Sequence, residues 1–328
     1  MRYLMGLDQG GGKTLAVVGD VEGRILGAGR GPGGCHAVTG LDRAMDGAFA
    51  AMAGALEAAS LGMERIGLLA AGMTGADWPE EYDLLRSALC RRTDLAVVKV
   101  CNDCIAAMRG GTEAPCGAVV CAGTGFNAGV VAPDGREFIF GYYVEAGDQG
   151  GAALARDAFE AVYAAETGLG PPTSLTGKVL ARYGLPTVEA LCRAANAGAG
   201  GVDAQLAVPL VFEAAAEGDA AAARIAARFG RRAGEYAAAG LRRFGLEKTA
   251  VDVVLSGGVF KSRSPVMLQA LETAVSAAAP RARLVDAAYE PVVGALLLAL
   301  DEAHGRPLPA RVLENLAQSA AAWGLTRG

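Results

Sequence analysis

The sequence predicts an α/β protein made of two similarly built lobes, and three observations carry that prediction. Short apolar runs and helical periodicities follow the order β-β-β-α-β-α-β over the first hundred residues. The same order begins again at Ala118, and glycine-rich turns fall at strand ends in both halves.

The first half opens with an antiparallel meander. Tyr3 to Leu7 reads as a buried strand, Gln9 to Gly12 as a turn, Leu15 to Val18 as a second strand, Val21-Glu22-Gly23 as a turn and Arg24 to Ala28 as a third strand. Leu41 to Leu61 has the apolar spacing of a helix, Ile66 to Ala70 reads as a strand, and Tyr82 to Arg91 reads as a helix. Leu95 to Val100 reads as a strand ending at Cys101-Asn102-Asp103.

The second half repeats the meander with Val119 to Ala122, Ala128 to Ala132 and Glu137 to Phe140. Its hairpin Val130-Val131-Ala132-Pro133-Asp134-Gly135-Arg136 carries letters like those from Val17 to Arg24, with Gly23 and Gly135 112 residues apart. A duplication is the economical explanation. A helix over Ala152 to Thr167 follows, then a largely helical insert at about 168–246 that includes the Ala-rich stretch Ala220 to Phe244. Strand Val251 to Leu255, helix Pro265 to Ala278, strand Arg283 to Val285 and helix Pro291 to Ala303 resume the alternation, and Pro309 to Trp323 reads as an amphipathic closing helix. The expected domains are 1–115, 116–304 and a closing segment 305–328, with an interdomain hinge at Gly110 to Cys116.

Composition narrows the function classes. With 328 residues, 52% hydrophobic and 20% charged, the chain can bury substantial cores and is not disordered. Its net charge of −5 is spread without a cationic tail or stripe, which disfavours nonspecific binding to nucleic acid or anionic membrane. The N terminus reads without a secretion signal, and the apolar stretch Val292 to Leu300 is far short of a span of about 20 residues, so a cytoplasmic protein is expected. Seven Cys, an odd number, fit reduced thiols.

Gly10-Gly11-Gly12-Lys13-Thr14 invites a P-loop reading, but that motif needs Gly at position 7, where Leu7 stands, and it opens a helix instead of a strand. A glycine turn between strands can still cradle phosphate through backbone N–H groups, with Asp8 placed to hold a hydrated Mg²⁺; an ordinary tight hairpin is the competing account. Ala122-Gly123-Thr124-Gly125 places a second such turn in the second half, and two opposed turns suit a triphosphate. A third cluster, Ser256-Gly257-Gly258-Val259, follows an apolar strand and would let a ring or ribose approach the backbone.

The segments Gly6 to Thr14, Cys121 to Asn127, Gly147-Asp148-Gln149-Gly150-Gly151 and Leu255 to Phe260 resemble the phosphate, Mg²⁺ and adenosine motifs of the BadF/BadG/BcrA/BcrD ATPase family, in order over residues 3 to 300. The resemblance implies two ribonuclease-H-like (actin-like ATPase) domains closing on ATP and substrate. Within that family the N-acetylglucosamine and glucosamine kinases look most similar, which implies an ATP- and Mg²⁺-dependent kinase of an amino sugar, acting on the primary hydroxyl, and a homodimer. Cys101-Asn102-Asp103 matches the kinases' base motif, so Asp103 is the implied catalytic base, with capping of the following helix as the bland alternative. Gly10, Gly11, Gly12, Lys13, Thr14, Gly123, Thr124, Gly125, Gly257 and Gly258 are the implied nucleotide contacts, and Asp8 the metal residue. Thr74-Gly75-Ala76-Asp77 resembles a sugar-binding turn; Thr74, Gly75, Asn127, Asp148 and Gln149 join Asp103 as implied sugar contacts.

Departures bear on specificity and rate. Gln149 stands where these kinases have Glu, Gly34 where they place an Asn on sugar hydroxyls, and Gly12 where they have Thr, so Thr14 would have to supply a phosphate-binding hydroxyl. His36 is expected to be solvated. Two other classes compete: a noncatalytic sugar-sensing regulator, and an ATP-driven electron donor with a [4Fe–4S] cluster shared across a dimer, for which Cys101, Cys104 and Cys121 are the candidate ligands.

Overall fold

A computed structural model describes residues 3–197 and 201–327. Residues 198–200 of the expected insert, 1 and 2 of the expected first domain and 328 of the closing segment lie outside them.

The first lobe is β1 (Tyr3–Gln9), β2 (Lys13–Asp20), β3 (Ile25–Pro32), a short α1 (His36–Thr39), α2 (Leu41–Ala59), β4 (Ile66–Met73), α3 (Pro79–Thr93), β5 (Val98–Asn102) and α4 (Asp103–Arg109). The second is β6 (Gly117–Ala122), β7 (Phe126–Val131), β8 (Glu137–Ile139), α5 (Gly150–Thr167), α6 (Leu175–Tyr183), α7 (Val188–Ala195), α8 (Val208–Ala216), α9 (Ala220–Arg243), β9 (Asp252–Ser256), α10 (Pro265–Ala278), β10 (Arg283–Asp286), α11 (Pro291–His304) and finally α12 (Ala310–Ala322).

Among the described residues the strands form two five-stranded sheets, ordered β3-β2-β1-β4-β5 and β10-β9-β6-β7-β8. Counted within each half, both read third, second, first, fourth, fifth, and in both the first three strands are antiparallel while the rest run parallel. The duplication read from the two hairpins is thus a duplication of topology. The fourth strand runs to Met73, past the expected Ala70, and the fifth starts at Val98 because Asp94, in the left-handed region at φ 56°, ends α3 and turns the chain first.

Strand alternation sorts the first core into two layers. Met5, Leu7, Ala16 and Val18 meet Met45 and Met52 of α2 on one face. Leu4, Val17, Leu68 and Ala70 meet Val292, Leu296 and Leu300 of α11 on the other, and α12 adds Val312 and Leu316 to the same cluster. The helix at 291–304, expected within the second domain, therefore builds its core with the first sheet. The Ala-rich α9, expected inside the insert, is also a core element: Ala226, Phe229, Ala233 and Tyr236 pack with Phe126, Val253 and Leu271 of the second lobe.

The helices α4 and α11 occupy equivalent places, each following the fifth strand of its half. They cross at Gly294, where an added Cβ would lie 1.8 Å from the carbonyl oxygen of Ala106, so only glycine permits the approach. One side of α4 joins the first sheet through Ile105 and Ala106, and Cys104, Ala107 and Met108 meet Val119 and Val254 of the second. Just beyond, the Gly110 carbonyl accepts hydrogen bonds from the amides of Ala288 (3.1 Å) and Tyr289 (3.2 Å), so the two chain passages between the lobes are tied together.

Candidate active site

The β1–β2 turn presents Gly11 and Gly12 to open space, with nothing within 4 Å of where a Cβ would stand. Lys13 follows, 46% exposed, its Nζ 3.7 Å from Glu290 at the start of α11. Thr14 does not join them. Strand alternation turns it inward, fully buried, where its hydroxyl donates to the Pro32 carbonyl at 2.7 Å, so it cannot replace the hydroxyl lost at Gly12.

The β6–β7 turn exposes Gly123, Thr124 and Gly125 and rests on the start of α5: the amides of Gly151 and Ala152 donate to the carbonyls of Gly123 (2.8 Å) and Thr124 (2.9 Å). The cluster after β9 rests on the same turn, since the Val259 amide donates to the Ala122 carbonyl at 3.0 Å. Gly257 there adopts φ 108° with the Ala122 carbonyl oxygen 2.1 Å from its would-be Cβ, which no other residue tolerates; Gly258 is open. A chain of polar contacts connects this cluster to the first turn. Arg327 donates to Ser256 Oγ (2.9 Å) and to both oxygens of Glu290 (3.2 and 3.3 Å), and Glu290 also faces Lys13 and Lys261. One carboxylate among three cations leaves this cluster with a net positive charge.

Acidic groups lie beside this cluster, since Lys13, Glu290 and Arg327 all bear on Asp8. Asp8, 8% exposed at the end of β1, is pushed up to about 7 by burial first and then by the charge of Asp103. Asp103, partly exposed at the first position of α4, is pushed up to about 6 by burial and then by Asp77, against hydrogen bonds from the Cys104 amide and the Thr74 hydroxyl. The capping role weighed for Asp103 falls to Asn102, whose Oδ1 accepts from the Cys104 amide at 2.9 Å. Asn102 Nδ2 donates to the Ala76 carbonyl (3.1 Å) and to Asp77 Oδ1 (2.7 Å), and Asn127 of the second lobe reaches the same Asp77 oxygen at 3.4 Å.

Thr74, held by a 2.9 Å bond from its amide to the Gln9 carbonyl, thus lies beside Asp103, while Gly75 faces Cys35 and His36. Asn127 serves as a strut: its Oδ1 accepts from the Ala128 and Gly141 amides at 2.8 and 2.9 Å. Asp148 is not a helix cap: its Oδ2 accepts from Arg232 (2.6 and 2.8 Å) and Tyr236 (3.1 Å). Gln149 stands near the second glycine turn, its Oε1 3.9 Å from the would-be Cβ of Gly125. His36 is not solvated: its side chain is 8% exposed and its Nε2 lies 3.4 Å from Glu81. Asp77 and Asn102 are the central residues that sequence reasoning did not place in the site; Asp77 stood in a quoted motif, but its two amide partners lie 25 and 50 residues away.

Cys104 meets Cys121, the two thiols hydrogen-bonded within one cluster, while Cys101 lies apart from them. Cys101 packs with the first sheet's cluster and Cys104 with the second sheet's, both buried, and burial raises both thiols well above their ordinary range. Cys121, the third of these cysteines, is partly exposed.

Two lobes of matching topology, each with a glycine turn between its first two strands, define an actin-like ATPase fold. Residues 5–299 match the profile of the BadF/BadG/BcrA/BcrD ATPase family, and the chain belongs to that family. No curated protein matches the sequence. Among solved structures, an N-acetylglucosamine kinase candidate from Chromobacterium violaceum is similar at 23% identity and TM-score 0.68, over 91% of this chain and 99% of that one. A second N-acetylglucosamine kinase candidate, from Porphyromonas gingivalis, shares 18% identity at TM-score 0.66 over 92% and 99%. A ROK family glucokinase from Streptomyces griseus, solved with glucose and AMPPNP, shares 22% at TM-score 0.59 over 90% and 98%. These likenesses establish the fold. Among the described residues no helix is long and apolar enough to cross a membrane.

Proposed function

We propose that the protein is an ATP- and Mg²⁺-dependent kinase that transfers the γ-phosphoryl group to the primary hydroxyl of an amino sugar or N-acetylamino sugar. The observation that carries this reading is the Asp103 carboxylate, hydrogen-bonded by the Thr74 hydroxyl and coupled to Asp8, on which the cations Lys13 and Arg327 near the first glycine turn bear. The Gly10 to Gly12 and Gly123 to Gly125 turns and Lys13 take the phosphates, and Gly257 and Gly258 flank the adenosine.

Asp103 accepts the proton of the attacking hydroxyl as that oxygen bonds to the γ-phosphorus and the bond to the bridging oxygen of ADP breaks. A base pushed to about 6 is ionised at neutral pH yet basic enough to take a proton. Mg²⁺ fits Asp8, a buried carboxylate costly to ionise beside a second acid, and when bound it supplies charge neutralisation for the phosphates. Closure about residues 110–116 would exclude water as a competing acceptor. A coupled ADP-release screen over hexoses, hexosamines and their N-acetyl forms tests the reading; sugar binding without ADP release would favour a sensor instead.

A further inference from the structure

Beside the Asp103 centre, where the start of α3 and the edge strand β8 bring the lobes together, lies a cavity of about 500 Å³ lined by Trp78 and Tyr82 from the first lobe and Phe138, Phe140, Tyr142 and Tyr143 from the second. The chain holds only 2 Trp, 8 Tyr and 9 Phe, so six aromatic residues at one cavity is a concentration that packing alone does not call for. Three of them stay wet: Trp78 is 40%, Tyr142 57% and Tyr143 59% exposed. The rings are held in place. Trp78 stacks on Tyr142 at 6.0 Å and 23°, Tyr143 on Phe138 at 5.9 Å and 28°, and the Arg243 guanidinium lies 4.0 Å from the Phe138 ring centroid. Tyr142 donates to Glu81 (3.0 Å) and Tyr82 to Glu137 (3.4 Å), so the hydroxyls are tied across the lobes.

This volume is that of a whole small-molecule site, roughly 300–1000 Å³, and its apolar rings with a few fixed polar groups match the usual make-up of one. It also borders the acceptor centre, because Asp77, whose charge bears on Asp103, lines it. We infer that the cavity is a subsite for a flat, uncharged aromatic substituent carried by the phosphoryl acceptor, so that the preferred substrate is an aryl-substituted sugar and not a free hexose. Asp77 and Glu137 in the lining disfavour an anionic group. The inference rests on the kinase reading of the same cleft.

Calorimetric titration compares glucose, glucosamine and N-acetylglucosamine with the p-nitrophenyl β-glycoside of each, alongside ADP release. Stacking of one buried ring predicts that a p-nitrophenyl glycoside binds about tenfold or more tightly than its parent sugar. Trp78→Ala and Tyr143→Ala each remove most of that difference and leave the parent sugar within about twofold. Tyr143→Phe retains it. Equal affinity within every pair, no binding by any glycoside, or a preference that survives both alanine variants overturns the subsite. Trp78-dependent binding of a glycoside with no ADP release from any sugar keeps the subsite and sinks the kinase reading; phosphorylation of parent and glycoside with equal constants does the reverse.

Discussion

Asn102 caps the helix that Asp103 begins. The Asn102 side-chain oxygen takes the Cys104 amide at 2.9 Å, and the Asp103 carboxylate shares that amide and takes the Thr74 hydroxyl. Asp103→Asn should therefore keep the fold and ATP affinity while lowering sugar phosphorylation by about 10²- to 10⁴-fold. Nucleotide titration and ADP release measure the two; unchanged turnover removes Asp103 from its role.

Asn102 does three jobs, since it also donates to Ala76 and Asp77. Asn102→Ala loses the cap and leaves buried partners unmet, so a cost of about 1–3 kcal/mol in thermal or urea unfolding is expected together with slower turnover. Asn102→Asp keeps a capping oxygen but sets a second acid against Asp77, and it should restore less activity than stability. Equal recovery of both would contradict this division.

The acid limb of the turnover profile should have its midpoint near 6, where burial and Asp77 place Asp103. Removing the neighbouring charge favours ionisation, so Asp77→Asn should move that midpoint to lower pH. A limb that stays put in the variant argues against Asp103 as the titrating group.

Asp8 offers a stability test. Its carboxyl titrates near 7 in the fold and near its ordinary 3.8 when unfolded, so between those values the folded chain binds more protons and stability falls as pH rises. Mg²⁺ should raise the melting temperature at pH 8 and have little effect at pH 4. Asp8→Asn should flatten the pH dependence and abolish the Mg²⁺ response, both readable by differential scanning fluorimetry.

Glu290 holds Lys13, Lys261 and Arg327 together. With Arg327→Ala the carboxylate keeps a firmer hold on Lys13, so the KM for ATP should rise severalfold while the KM for the sugar is unchanged, and Arg327→Lys should recover most of the loss. Parallel changes in both constants would point to a general loss of fold.

The fold was legible because its signals are local: two hairpins repeat their letters around Gly23 and Gly135, and glycines punctuate strand ends. Helix boundaries followed the apolar period closely, as at Pro265–Ala278. What stayed hidden depends on distant partners. Nothing within Pro291–His304 says which sheet its apolar faces will meet, and nothing near Asp148 announces Arg232, 84 residues on. Thr14 is a different case, since the alternation that exposes Lys13 buries its neighbour and could have been read from the strand itself.

At the crossing of Gly294 with Ala106 two rods touch backbone to backbone. The later rod is bedded in the first sheet and the earlier one touches both, so this point sets how near the second sheet's rod-bearing edge can come to the first. A methyl group at position 294 would act as a wedge there, prising the lobes apart far from any bound molecule and fixing the angle of the jaws.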